Sequence, residues 1–498
     1  MLVAVLTRAE STKWQETSRH ADVMAFLAAL EEKKDPRFAR LSFGESPEGR
    51  ELPLCVLSAK GLTRPAEARA AGLPVVLVLC GIHAGEVEGK EAALMLMRDL
   101  LGGAQAGLLD KLTLLVVPLF NPDGNDRIDP ANRKLDLARL EGQIGPPGGV
   151  GTRVTAKGIN LNRDYLRQDA PEMRALQGGV WLPWSPDLTI DCHSTNGSVH
   201  RFAMTYDTPH TLEAGRPEPI QFLREKLLPE VTARVRAGSG RESFFYGNFL
   251  ADEGASDEGW TTYSHHPRFG SNYRGLSGRM DLLLEAYSYL PFEERVATTY
   301  EFLARTLEVV AEKGAEVRRI VAASRRPRDR IAVRSRLESD GSLARILTRE
   351  PRTLEGEPSV ATVPHFCRFV GESVVPRPWG YALPESLGRR IAQHGLRARV
   401  LSDAVEARVE VARITSASGV DSRRILEATG ERVFGAEISV ATRRLPPGTW
   451  IVETEQPLGA IAVYLAEPES DDGLVAQGWL APPDQGEEWP VLRLLEPI

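Results

Sequence analysis

The sequence predicts an α/β fold, a mixed, mainly parallel sheet with helices on both faces, and three observations carry that reading. An unbroken apolar run stands at Pro74–Cys80, another apolar run at Leu112–Pro118, and mainly apolar strand segments precede His193 and Glu285, as in strands buried on both sides. Helical stretches such as Glu88–Leu101 alternate with them, the order that builds a parallel sheet. Each run ends in polar or turn residues, so successive strand ends open on one side, where ligands bind in open α/β sheets.

In chain order, Thr12–Leu30 has a helical period, with Val23, Phe26, Leu27 and Leu30 on one face and Thr17 or Ser18 near its start. Ala39–Phe43 and Leu52–Ser58 read as a hairpin turned at Gly44–Gly49. The long loop Asn121–Asp164, with Gly145–Gly151 at its middle, has the size of a segment that binds or gates. Trp260–Gly278, rich in Gly, Tyr and His, reads as a mobile loop over the site, and His265 and His266 as loop residues.

At 498 residues the chain is too long for one ordinary core. The Pro- and Arg-rich Ser324–Arg330 marks a boundary, giving a catalytic domain over 1–325 and a smaller β-rich or α+β domain over 326–498. In the latter, Ala407–Ile414 and Thr449–Thr454 read as strands, Pro384–His394 as a helix, and the acidic Glu467–Gly473 as a solvated loop rather than a calcium site.

A hydrophobic content of 42%, a charged content of 26% and a net charge of -7 describe a globular chain and argue against nucleic acid as partner. Four widely spaced cysteines, at 55, 80, 192 and 367, form no disulfide framework or zinc knuckle. The apolar run Leu2–Leu6 is too short for a signal-peptide core or a membrane span. The expectation is no membrane partner and a cytoplasmic location, unless a leader has been removed.

The chemistry gathers at strand ends. His83-x-x-Glu86 follows the run ending at Cys80, and Gly81 and Gly85 permit a tight turn around it. The same spacing at His210 and Glu213 lacks a preceding strand, so context gives the first pair its meaning. A later strand end delivers His193. Two imidazoles and a carboxylate suit a zinc ion whose fourth position is left to water. Glu285, after a further apolar run, is a carboxylate able to take that water's proton. In the long loop, Arg133 and Arg163, the latter behind Asn162, bear guanidinium groups suited to a carboxylate.

Taken together, His83-x-x-Glu86, Asn121-Pro-Asp-Gly124, Asn162-Arg163 in Gly-Ile-Asn-Leu-Asn-Arg, His193 and Glu285 resemble the zinc carboxypeptidase family, the carboxypeptidase A/B-like metallopeptidases, across roughly residues 15–312. The resemblance implies one zinc ion per chain held by His83, Glu86 and His193, with Glu285 as general base and then acid. It implies that Asn162 and Arg163 grip a terminal carboxylate, that Arg133 stabilises the oxyanion, and that Tyr273, or alternatively Tyr263, contacts substrate. The expected activity is removal of the C-terminal residue from peptides with a free carboxylate, cell-wall peptides among them. An N-acyl-amino-acid deacylase of the succinylglutamate desuccinylase or aspartoacylase kind is the rival, and a binding protein on an inactive peptidase scaffold the third reading.

Overall fold

The computed structural model describes residues 5–105, 107–255, 258–419 and 432–498. Ten strands come first: β1 (Phe38–Glu45), β2 (Glu51–Leu57), β3 (Val75–Cys80), β4 (Thr113–Val117), β5 (Leu188–Thr195), β6 (Met204–Asp207), β7 (Ser243–Phe245), the short β8 (Asn248–Phe249) and β9 (Trp260–Thr261), and β10 (Met280–Tyr287). Eight of them form the main sheet in the order β1-β2-β4-β3-β5-β10-β6-β7. Its centre, β4-β3-β5-β10, is parallel, while β1, β2 and β6 pair antiparallel. The mixed, mainly parallel sheet read from the apolar runs is the sheet observed.

Helices α1 (His20–Glu31), α2 (Glu88–Leu101), α3 (Leu228–Ser239) and α5 (Phe292–Glu312) bury one face of the sheet, and α4 (Gly270–Leu276) lies on the other side of it. Alternation along each strand divides the cores. Val76, Val78, Cys80, Ile190, Cys192, Leu282 and Leu284 meet the first group of helices. Val75, Leu77 and Leu79 face the opposite cluster, with Tyr165, Trp181 and Tyr273. His193 and Glu285 therefore project to that second side.

α1 starts at His20, not at Thr12, because the residues before it have another partner. Thr17 Oγ1, Ser18 N and Ser18 Oγ donate to the buried Glu91 carboxylate on α2, at 2.8, 2.7 and 2.9 Å. These groups satisfy Glu91 instead of capping a helix. The hairpin β1–β2 is tied to the long loop through Asp123, which accepts from Ser46 Oγ at 2.6 Å and Arg50 Nη1 at 2.7 Å.

Past α6 (Gly314–Ala323) the pattern changes to long strands: β11 (Arg330–Glu350), β12 (Glu357–Pro376), β13 (Gly380–Leu383), β14 (Ala398–Val400), β15 (Val405–Gly419), β16 (Arg432–Leu445), β17 (Trp450–Glu453) and β18 (Leu492–Leu494), with helices α7 (Glu385–Ala392) and α8 (Gly459–Ala466). Six of these form the sheet β14-β17-β13-β18-β15-β16, while β11 and β12 join β9 and β8. Ile331, Val333, Tyr381 and Tyr464 share one apolar cluster with Tyr165, Trp181 and Tyr273, so packing runs on across residue 325. Among the described residues no helix is long and apolar enough to cross a membrane.

The helix over the sheet centre sits close because Gly89 has no side chain. A Cβ there would lie 2.5 Å from Cys192 Cβ and 3.4 Å from Cys80 Sγ. Gly89→Ala is expected to push α2 off β3 and β5 and to destabilise the protein by roughly 1–3 kcal/mol, the usual range for overpacking. Urea unfolding followed by fluorescence measures it, and an unchanged midpoint contradicts the close packing.

Candidate metal centre

β3 ends at Cys80, and the chain turns at Gly81, whose φ of 69° is in the left-handed region open to glycine. That turn swings His83 and Glu86 over the strand ends. One strand along, Cys80 pairs in register with Cys192, so His193 comes next on the site side. On the far side of β5, Glu285 pairs in register with His193. Three strand ends thus deliver four groups to one cleft, and Glu285 is the one residue of β10 that is not fully buried.

His83 Nδ1 lies 3.1 Å from Glu86 Oε1, His193 Nδ1 3.0 Å from Glu86 Oε2, and the two Nδ1 atoms are 3.2 Å apart. Tetrahedral ligands about 2.05 Å from a zinc ion would be about 3.3 Å from one another, so the donor set fits such an ion. The outward nitrogens fit too. His83 Nε2 meets Asn160 Oδ1 at 3.1 Å, and His193 Nε2 lies 3.1 Å from Asp191 Oδ1. Oxygens behind both rings favour the tautomer that leaves Nδ1 free to ligate. Asp191 is in turn held by Arg274 Nη2 at 2.6 Å, and Arg274 also donates to Tyr165 and Asp281.

Burial lowers the His83 pKa to about 3, so its ring is neutral and able to ligate. For His193 burial works in the same direction, but the carboxylates of Asp191 and Glu86 outweigh it and hold its pKa well above the ordinary value. Glu86 stays ionised: burial opposes its charge, and His83, His193 and Arg133 more than offset that. Glu285 goes the other way. Burial, reinforced by the Glu86 charge and opposed by His193, raises its pKa to about 8, which is the range of a proton carrier near neutral pH.

Two arginines reach Glu86, and they differ in exposure. Arg133 Nη1 lies 3.2 Å from Glu86 Oε1, but its Nε donates to Gln143 Oε1 at 2.7 Å, its Nη2 to Ser194 O and Ser288 Oγ at 3.3 Å, and its side chain is 15% exposed. Arg153, which no sequence motif singles out, places Nη1 3.2 Å from both His83 Nδ1 and Glu86 Oε1 with its side chain 40% exposed. A lone arginine in an irregular loop carries no local signal beyond Gly151 two residues before it.

Asn162 and Arg163 line the same cleft, of ≈2140 Å³. Asn162 Oδ1 accepts from Gly270 N at 2.9 Å, and the Arg163 guanidinium lies 3.7 Å over the Phe269 ring. Tyr273 is not at the cleft. It is fully buried on α4 between Tyr165 and Trp181, with its hydroxyl 2.9 Å from His394 Nδ1, so it cannot touch substrate. Its helix turns it inward, whereas Tyr263 lines the cleft. His210 is buried elsewhere, its Nε2 3.1 Å from Thr262 Oγ1, and Glu213 accepts from Gly371 N. Cys80 and Cys192 face α2, on the opposite side of the sheet from the imidazoles.

Comparison with known proteins points to one family. Residues 23–180 match the family model described as zinc carboxypeptidase. Carboxypeptidase 2 of Trichophyton rubrum is 23% identical over 477 residues, covering 90% of this chain and 81% of its own. Carboxypeptidase D of Mus musculus is 32% identical over 167 residues, 28% of this chain and 12% of its own. Among solved structures, a metallo-carboxypeptidase from Burkholderia cenocepacia aligns at a TM-score of 0.42 and 18% identity, over 59% of this chain and 69% of that one.

The raised Glu285 pKa has a thermodynamic consequence in metal-free protein. From the ordinary 4.5 up to about 8 the unfolded chain has lost the proton that the folded carboxyl keeps, so stability falls as pH rises through that window and levels off above it. Glu285→Gln has no such proton to lose. In chelator-treated samples its melting temperature is expected to exceed that of the wild type by a margin that widens from pH 5 to pH 8, a tenfold difference in proton affinity being worth about 1.4 kcal/mol. A constant margin rejects the perturbed carboxyl.

Proposed function

We propose that the chain, which belongs to the zinc carboxypeptidase family, removes the C-terminal residue of peptides with one zinc ion held by His83, Glu86 and His193. The observation that carries this reading is the convergence of three side chains whose nearest donor atoms lie 3.0–3.2 Å apart, with Glu285 beside them in strand register. Zinc bound there would polarise the scissile carbonyl and acidify a water.

The remaining work belongs to the chain's own groups. Glu285 takes a proton from the attacking water as the carbon–oxygen bond forms, and returns it to the amine nitrogen as the carbon–nitrogen bond breaks. Arg153, half in solvent at the edge of the donor set, donates to the developing oxyanion. Arg133 instead balances the Glu86 charge from a fixed, partly buried position. Arg163, kept in place over Phe269, offers a planar guanidinium to the terminal carboxylate, and Asn162 fixes the backbone beside it. Asn160 bonds to the His83 imidazole, Asp191 places a carboxylate oxygen 3.1 Å behind that of His193, and Arg274 holds Asp191.

Metal analysis with a screen of N-blocked dipeptides, cell-wall-type peptides included, tests the reading. One zinc per chain is expected, lost in His83→Ala and kept in Glu285→Gln, whose kcat falls by orders of magnitude because the proton carrier is gone. Hydrolysis of N-acyl aspartate or glutamate with none of the dipeptides would move the chain to the deacylases. Absence of zinc would favour a binding protein.

The two arginines separate kinetically. Arg153→Ala is expected to lower kcat about 100-fold with little change in KM, the typical loss of an oxyanion donor. Arg133→Ala should act first on zinc affinity and thermal stability, since it strips a counter-charge from the buried Glu86. Equal kcat losses with zinc retained in both would reverse the assignment.

A further inference from the structure

The acidic run Glu467–Gly473 is not a solvated loop. Glu467, Ser470, Asp471 and Asp472 are all buried, and Asp471 lines the same cleft as the metal ligands. A carboxylate taken out of water needs donors on its oxygens, and Asp471 has them from both halves of the chain. Its Oδ2 accepts from His265 Nε2 at 2.8 Å and Ser335 N at 3.2 Å, and its Oδ1 from Tyr464 Oη at 2.6 Å. The neighbouring Asp472 accepts from Arg268 N at 2.9 Å and Arg268 Nε at 2.7 Å.

His265, His266 and Asp471 lie close enough to suggest a second ion site, but their geometry is that of a clamp. The two rings stack at 4.6 Å and 30°, and both turn Nε2 toward Asp471, His265 to 2.8 Å from Oδ2 and His266 to 3.8 Å from Oδ1. His266 Nδ1 is 2.5 Å from Ser264 Oγ, and both oxygens of Asp471 are already met by donors that would have to be displaced.

What the clamp holds is the segment from β9 to α4. Its start is paired with β12, Thr262 N donating to Phe366 O at 3.1 Å. Its middle is gripped by Asp471 and Asp472. Its end supplies Phe269, beneath Arg163, and Gly270 N, bonded to Asn162. The segment read from sequence as mobile is hydrogen-bonded along its length.

We propose that Asp471 and His265 are positioning residues: the C-terminal region, through this pair, fixes residues 262–269 and thereby the Arg163 pocket that receives the substrate's terminal carboxylate. The role assigned to that pocket rests on the carboxypeptidase reading; the clamp itself does not. A group that sets the shape of a carboxylate-binding pocket acts on substrate affinity, not on the chemical step at zinc.

The test uses the full-length, zinc-loaded protein and its variants Asp471→Asn, His265→Ala and His265→Gln. With an N-blocked dipeptide that the wild type cleaves, Asp471→Asn and His265→Ala are expected to raise KM about tenfold with kcat within about threefold. His265→Gln, which still donates an N–H, should recover most of the KM. Amide exchange over 262–269 should quicken in the first two variants and stay slow in the third. An unchanged KM, a loss confined to kcat, a Gln variant as impaired as the Ala, or a second zinc equivalent that His265→Ala removes would each overturn the proposal. Should the wild type cleave no peptide, the functional reading falls and the exchange measurement still decides the clamp: unchanged rates reject it.

Discussion

The site depends on the register of three parallel strands. Cys80 lies opposite Cys192, and His193 lies opposite Glu285. Side chains alternate between faces, so a one-residue slip of β5 would carry His193 into the helix-covered core and bring Cys192 to the cleft. What prevents the slip is on the far side of the sheet. The absent side chain of Gly89 lets α2 approach Cys192 and Cys80 closely enough that a single methyl group would clash. The packing that fixes the register and the chemistry that uses it lie back to back on the same two strands.

Electrostatics then sorts the buried groups into those that keep a charge and those that give it up. Glu86 keeps its charge because two imidazoles and two guanidinium groups face it. Asp191, opposed by burial but paired with His193 and Arg274, is held at a pKa of about 2. Glu285 has the Glu86 carboxylate for a neighbour and no directed cation of its own among the described ion pairs, so its proton is retained until about pH 8. Carboxylates whose environments push their pKa values in opposite directions are what the proposed division between metal ligand and proton carrier requires. The two arginines differ in restraint: Arg133 meets four acceptors, while the Arg153 side chain is left partly in solvent.

What could be read in the sequence was what local pattern carries. The apolar runs, the glycine-flanked His83 and Glu86, and the polar residues at the ends of β5 and β10 are each visible within a dozen residues, and they locate the candidate ligands and Glu285. What could not be read depends on partners far along the chain. Thr17 and Ser18 resemble a helix start until Glu91, more than seventy residues on, claims their hydrogen bonds. Tyr273 looks like a cleft residue until α4 turns it onto Tyr165 and Trp181. Arg153 has no neighbours in sequence that mark it, and the acidic run reads as solvated because its donors, His265 and Arg268, lie some two hundred positions earlier.

The change of pattern near residue 325 has a different meaning in sequence and in space. Composition marks it sharply, with helices before and long strands after. Packing crosses it: β12 continues a sheet begun by β9 and β8, and Ile331, Val333 and Tyr464 belong to the same apolar cluster as Tyr165 and Tyr273. Two buried carboxylates on one side of such a seam, Asp471 and Asp472, with their partners His265 and Arg268 on the other, would be costly in either half alone, since polar and charged groups would be left unpaired away from water. The ion pairs across the seam therefore specify how the halves meet, and because they meet over the segment that carries Phe269 and Gly270, that specification extends to the floor beneath Arg163.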